Sequence, residues 1–220
     1  MTSYYLDKLY PLQDEVLQLI KTQLKDQQFE LYLTGGTCLS RCYFNHRFSD
    51  DLDFFYHVSD SNLIMQRLIP ALNLNFQIKT LAKDADRSEF ISVQINQLLK
   101  LDIVRDVGEH FGEFAHHELY SPIDNLDNIL ANKISAIMGR DEAKDVVDLW
   151  SIAQNYQINW PRIFTAVDSK ASGIMPPLVA KRLVDFPVEW LKRINWSIQP
   201  PSAKQFLEDI NKISNQIINY

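Results

Sequence analysis

An α/β (α+β) fold is predicted, with a mixed sheet flanked by helices in the first half and an α-helical C-terminal lobe in the second. Three observations predict it. Short apolar or alternating stretches separated by polar turns occupy the first hundred or so positions, the pattern of half-buried strands. After Pro122 the apolar positions recur at helical spacing instead. The 220 residues are 46% hydrophobic and 23% charged, ordinary for a soluble globular protein and far from a disordered or fibrous one. A chain of this length buries one sizeable core, or a core plus a helical appendage.

Leu9, Leu12, Val16, Ile20 and Leu24 repeat at three- and four-residue intervals and predict an amphipathic opening helix. Phe29 to Leu33 reads as a buried strand that runs into the Thr34-Gly35-Gly36 turn, with a helix from about Thr37 to Phe44. Asp51 to His57 (DLDFFYH) is the next strand, and Ser59-Asp60-Ser61 offers caps for a helix reaching about Leu72. Alternation at Leu74, Phe76 and Ile78, at Ile91, Val93 and Ile95, and at Leu99, Leu101 and Ile103 predicts three more strands, the last two joined as a hairpin at Asn96-Gln97. Beyond Pro122 helices follow one another, punctuated by Pro161, Pro176-Pro177, Pro187 and Pro200-Pro201. The lobe boundary is expected near residue 120, giving 1–120 and 121–220, and the lack of a long linker or repeat predicts lobes packed together.

Lys and Arg number 22 against 28 Asp and Glu, a net charge of −6. That excludes a surface gripping nucleic acid everywhere, while a local basic groove is compatible with it. The N-terminal residues lack the basic start and apolar stretch of a signal peptide, and no stretch is apolar enough to span a bilayer, so a cytoplasmic protein without membrane attachment is expected. Cys38 and Cys42 stand one helical turn apart, poor geometry for a disulfide, and too few ligands for zinc, so they read as packing residues.

The chemistry concentrates in an acidic pair. Asp51 and Asp53, two apart on a strand, leave one face while Leu52 and Phe54 point the other way. Two carboxylates held that close repel unless a cation lies between them, and Mg²⁺ suits one or two carboxylates plus water and phosphate oxygens. Asp102, in LLKLDIV, is a third metal ligand if its strand lies beside the pair, or a solvent-facing edge aspartate if it does not. Gly35-Gly36-Thr37 follows a strand and opens a helix, so its amides and hydroxyl can receive phosphate oxygens. Thirteen residues separate Thr37 from Asp51, enough for a short helix and a return loop that bring cradle and carboxylates together.

The stretch LTGGTCLSRCYFNHRFSDDLDFF resembles the first motif of the polymerase-β nucleotidyltransferase superfamily. More narrowly, GGT-x-LS, HR-x-S-x-DLDFF, K-x-x-A-x-x-x-R and KDVVDL resemble the AbiEii/AbiGii nucleotidyltransferase toxin family, closely over roughly residues 30–55 and 126–150. The resemblance implies a polymerase-β-type nucleotidyltransferase core at 1–120 with a helical lobe at 121–220. It implies Mg²⁺ (or Mn²⁺), an NTP, and transfer of a nucleotidyl group to acceptor RNA such as the 3′ end of tRNA, or to protein. A cognate antitoxin protein is the implied partner, in bacterial toxin–antitoxin or abortive-infection systems. On these motifs Asp51 and Asp53 bind metal, Gly36 and Thr37, next to Gly35, meet phosphate, and Ser49 takes the place of the serine in the Ser-x-Asp element; Asp102, outside the motifs, would complete a catalytic site for two metals. Thr37 replaces the serine common after the glycines and keeps its hydroxyl.

Lys133 rises from an apolar helix stripe of Ile129, Leu130, Ala136 and Ile137, with Arg140 on roughly the same face. It either snorkels to water or, as the resemblance implies, touches triphosphate together with Arg140. Asp145 and Asp148 share a helix face, and Lys144 can pair with Asp148 on the surface. The resemblance gives Asp145 a role orienting Lys133. His46 and Arg47 lie just before the acidic pair, where they can meet the nucleotide. His57, His110, His116 and His117 read as surface residues, and the four tryptophans as packing. Two other functions fit the same sequence: nucleotidyl transfer to a small molecule such as an antibiotic, and a non-catalytic module that binds a partner protein.

Overall fold

The computed structural model describes residues 2–25, 31–57, 64–83, 90–106 and 108–220. They form two compact units, one of Met1–Cys42, Ser49–Val107 and Phe114–Asp124, the other of Tyr43–Phe48, Gly108–Glu113 and Asn125–Tyr220.

In the first unit the strands β1 (Leu31–Thr34), β2 (Leu52–Tyr56), β3 (Ile78–Lys83), β4 (Phe90–Ile95) and β5 (Leu99–Arg105) make one sheet in the order β1-β2-β5-β4-β3. Only β2 and β5 run parallel, so the sheet is mixed. Alternation in the sequence becomes alternation in burial. Leu52, Phe54, Ile91, Val93, Ile95, Leu99, Leu101 and Ile103 are buried, and each such side chain contributes about 1.5–3 kcal/mol by leaving water. The opening helical run, Thr2–Tyr4, Tyr5–Leu9 and Tyr10–Leu24, buries Leu9, Leu12, Val16, Leu17 and Ile20 as its spacing predicts.

Two expectations need correction or restriction. Leu74 and Phe76 are not in a strand. A helical run through Ile64–Leu68 continues as Ile69–Asn75, the Phe76 amide closes it on the Leu72 carbonyl at 2.8 Å, and Leu74 is left 86% exposed. A helix already under way gains a hydrogen bond for each residue added, and that outweighs an alternating pattern of only three positions. Phe29, Glu30 and the cap at Ser59-Asp60-Ser61 lie outside the described residues.

The second unit is helical: Leu126–Gly139, Ala143–Asn155, Trp160–Lys170, Pro176–Val184 and Ala203–Ile218, with a 3₁₀ turn at Val188–Arg193. The side chains of Asn125, Asn159 and Ser202 accept from amides three residues on and cap three of these helices. Pro161 and Pro176-Pro177 sit in first turns, where proline is tolerated. No helix among the described residues is long and apolar enough to cross a membrane.

The β4–β5 hairpin turns through Asn96 and Gln97, both at positive φ (50° and 58°), and the Leu98 amide closes it on the Ile95 carbonyl at 3.0 Å. A turn of this hand favours asparagine then glycine. Gln97→Gly is expected to raise stability by about 0.5–1 kcal/mol, read as a shift of the urea midpoint at constant slope.

Candidate active site

Strand register decides which side chains meet. Thr34 pairs with Asp53, Asp53 with Asp102, and Asp102 with Ser92, so one row across β1, β2, β5 and β4 is polar throughout. The next row, Leu33, Phe54, Ile103 and Ile91, points to the opposite face and is buried. Because β5 lies beside β2, Asp102 is no edge residue, and its side chain leaves the same face as that of Asp53. Its carboxylate is engaged on both oxygens. Ser92 Oγ donates to Oδ1 at 2.5 Å and Lys100 Nζ to Oδ2 at 2.5 Å. Among the described residues no group of three or more His, Cys, Asp or Glu side chains converges closely enough to hold a metal ion.

The glycine turn lies directly against this row. Gly35 has φ of +71°, and a β-carbon placed on it would lie 2.3 Å from Asp53 Oδ2 and 3.0 Å from Asp53 Cβ and Cγ. Any side chain at position 35 would take the space of that carboxylate, and the left-handed backbone further restricts the position to glycine. Gly35–Cys38 forms the first helical turn, and the Leu39 amide is the one that reaches back to Gly35 and Gly36. The amides of Gly36 and Thr37 thus belong to a helix start, where intrahelical acceptors are lacking. Thr37 itself is fully buried and its hydroxyl donates to the Asp51 carbonyl. It clamps the turn to the acidic segment, a different task from the phosphate contact expected of it.

Asp51 is positioned from behind. Gln13, fully buried on the opening helix, donates to the Ser49 and Asp50 carbonyls at 3.1 and 3.2 Å, and Arg41 donates to its Oε1 at 3.1 Å. The Tyr5 hydroxyl donates to Asp50 Oδ1 at 2.8 Å, and the Ser49 amide reaches the Tyr10 hydroxyl at 3.4 Å. Ser49 is buried in this staple. Thr34 Oγ1 donates to the buried Asp124 carboxylate at 2.7 Å, fixing the end of β1 before the glycines.

The helical unit gathers its own charges around two buried aspartates. Lys133 Nζ donates to Asp145 Oδ1 at 2.9 Å and pairs with Asp148 Oδ2 at 2.6 Å. Arg47 grips both Asp148 oxygens at 2.6 and 2.8 Å, and His46 Nε2 lies 2.8 Å from Oδ1. Arg140 holds Asp145 at 2.7 and 3.1 Å. Burial alone would raise the Asp148 carboxyl, but the Arg47 and Lys133 charges, with hydrogen bonds from Arg47 and His46, hold it well below the usual range. Asp145 is likewise lowered against its burial by Lys133 and Arg140. Burial works against the Lys133 charge too, yet Asp148 and Asp145 outweigh it and the opposing Arg47, and keep the ammonium above the ordinary lysine value.

Several sequence expectations change here. Asp148 is not a surface partner of Lys144, because it is fully buried beneath Arg47, His46 and Lys133. Lys133 does not snorkel and is 7% exposed. His46 is 2% exposed with its Nδ1 lacking a partner among the described residues, so it supports Asp148 from within. Arg47 is buried with it, and Arg140 is the one cation of the set that stays exposed. Trp150 and Trp160 are packed, whereas Trp190 and Trp196 are half-exposed. Cys38 and Cys42 are free thiols. Gln13, Ser92, Lys100 and Asp124 escape sequence reading. Of these only Lys100 carries a signal, its i, i+2 spacing to Asp102 on an alternating strand.

Residues 16–174 match the family model described as nucleotidyl transferase AbiEii toxin, type IV toxin–antitoxin system. An uncharacterized protein of Aquifex aeolicus (strain VF5) is 27% identical over 166 residues, 71% of this chain and 74% of that protein. Two solved structures share the fold. JHP933 from Helicobacter pylori superposes with a TM-score of 0.57 at 21% identity, over 96% of this chain and 92% of that one. MenT4, a nucleotidyltransferase toxin from Mycobacterium tuberculosis H37Rv, superposes with a TM-score of 0.57 at 17% identity, over 96% and 83%.

Removing Asp148 would leave Arg47 and Lys133 buried beside an unfilled site, so Asp148→Ala is expected to cost about 3–5 kcal/mol in urea unfolding. The stabilisation from the two depressed carboxyls is complete above the ordinary aspartate value of 3.8 and is lost as pH falls below it. Acid unfolding of Asp148→Asn should accordingly show a shallower pH dependence than that of the parent.

Proposed function

The chain belongs to the AbiEii nucleotidyl transferase toxin family, and we propose that it transfers a nucleoside monophosphate from an NTP to acceptor RNA or protein with Mg²⁺ or Mn²⁺ as cofactor. That it is a nucleotidyltransferase follows from membership. The acceptor, the metal and the role as toxin of a toxin–antitoxin pair are the proposal. The single observation that carries it is the contact of the Asp53 carboxylate with the Gly35 Cα. It joins a carboxylate to a helix start, and a phosphate chain held at such amides needs a cation beside it.

The donor set fits a hard divalent ion. Asp51 and Asp53 would hold it, Asp102 stands across from Asp53 on the neighbouring strand, and every one of these ligands is a carboxylate. A divalent ion there supplies charge neutralisation on the triphosphate and a lowered pKa for the attacking hydroxyl. The chain's own part is positioning. The amides of Gly36 and Thr37 would receive phosphate oxygens, the Thr37 hydroxyl ties the turn to Asp51, and Gln13 holds the segment that carries Asp51. In the helical unit Arg47, Lys133 and Arg140 bring three fixed positive charges to two aspartates, an excess that favours an anionic ligand such as a triphosphate or RNA.

Asp51→Ala and Asp53→Ala are each expected to lower Mg²⁺-dependent incorporation from labelled NTPs by about a thousandfold, several kcal/mol of lost stabilisation, with unchanged circular dichroism. Full activity in both would refute the assignment. Mass analysis of products after incubation with total RNA, lysate protein and aminoglycosides should find the nucleotide on RNA or protein. Label on an aminoglycoside alone would replace this acceptor class with a small molecule.

A further inference from the structure

Lys100 is a cation bonded to the polar row through Asp102, and neither the motifs nor the family description accounts for it. It stands two residues before Asp102 on β5, so both side chains leave one face. The parallel ladder opens with Leu52 paired to Leu101, so Asp51 and Lys100 are the residues that immediately precede its first pair, and Asp53 pairs with Asp102 one step on. The charges of Asp51, Asp53 and Asp102 all act on Lys100. Partial burial works against the Lys100 charge. The hydrogen bond and charge of Asp102, followed by the charges of Asp51 and Asp53, outweigh that and hold the ammonium above its ordinary value.

An isolated surface pair of this kind contributes little and does not select its place. This pair lies on the face that also carries Asp53, where the implied divalent ion would be held. Ser92 takes one oxygen of Asp102 and Lys100 the other, so both are occupied by protein donors.

We propose that Lys100 is a tethered counter-ion of the metal site: its ammonium holds Asp102 in the metal-free protein, and a divalent cation competes with it for that carboxylate. The inference rests on the metal-dependent reading above. It makes Lys100 a positioning residue that sets how tightly the metal is held, since ammonium and metal cannot both take the same oxygen at full strength.

The test is Mn²⁺ binding to the full chain without nucleotide, measured by calorimetry and by the electron paramagnetic resonance of free Mn²⁺. Lys100→Met is expected to bind Mn²⁺ about tenfold more tightly than the parent, the usual scale of coupling between two ligands of one site. In an Asp102→Asn background the same substitution should change affinity by less than about twofold, because the contested carboxylate is gone. Lys79→Met, an exposed lysine on β3, controls for net charge, and Lys100→Gln serves if the methionine variant does not fold. Affinity unchanged in Lys100→Met while Asp53→Asn loses binding would overturn the counter-ion role and leave the metal site standing. A gain that persists without Asp102, or that Lys79→Met reproduces, would also overturn it. Absence of Mn²⁺ binding in parent and variants alike would remove the metal reading and this inference together.

Discussion

The contact between Gly35 and Asp53 is the constraint on which the sheet unit of this protein depends. A carboxylate packed onto an α-carbon leaves no room for a side chain, and the backbone there is left-handed, so two independent reasons make glycine necessary at one position. The contact fixes more than a residue type. It brings the start of a helix to the face of a strand, and the surrounding hydrogen bonds are arranged so that neither can move alone. Thr37 holds the helix to the Asp51 carbonyl, Thr34 holds the end of β1 to Asp124, and Gln13 holds the segment before Asp51 to the opening helix. Thr34, Thr37, Gln13 and Asp124 are buried, where an unmade hydrogen bond costs more than a made one contributes.

The two units handle charge in different ways. In the sheet, acids are concentrated on one face at moderate exposure and a lysine lies among them, an arrangement suited to exchanging one cation for another. In the helical unit the acids are fully buried and surrounded by Arg47, Lys133, His46 and Arg140. A buried carboxylate with that many donors keeps its charge and its place. Asp145 and Asp148 are thus a scaffold for cations. Arg140, exposed on one side and bonded to Asp145 on the other, is the member of that scaffold most open to a ligand from solvent.

Much of this was legible in the sequence because it is local. Alternation on β2 separates Asp53 from Leu52 and Phe54, helical spacing marks the opening helix, and a glycine pair between strand and helix marks the turn. Lys133 stood out because its ammonium rises from an apolar helix stripe, and Asp145 and Asp148 are its partners. The misreadings were also local in origin. Leu74 and Phe76 alternate as a strand would, but the helical run from Ile64 continues through Asn75 and leaves Phe76 as its C-cap. Asp148 has Lys144 one turn away, and from spacing alone that neighbour looks sufficient.

The sequence by itself determined the mixed fold class, the glycine turn between strand and helix, and the family, because each depends on residues close together along the chain. Tertiary structure alone decided that β5 lies beside β2, with Asp102 across from Asp53 and Lys100 bonded to Asp102 beside them. It alone brought Arg47 and His46 onto Asp148, about a hundred residues away. Strand order and long-range ion pairs have no period in sequence. They are settled by which apolar faces bury one another, and the charged side chains take the partners that this burial leaves within reach.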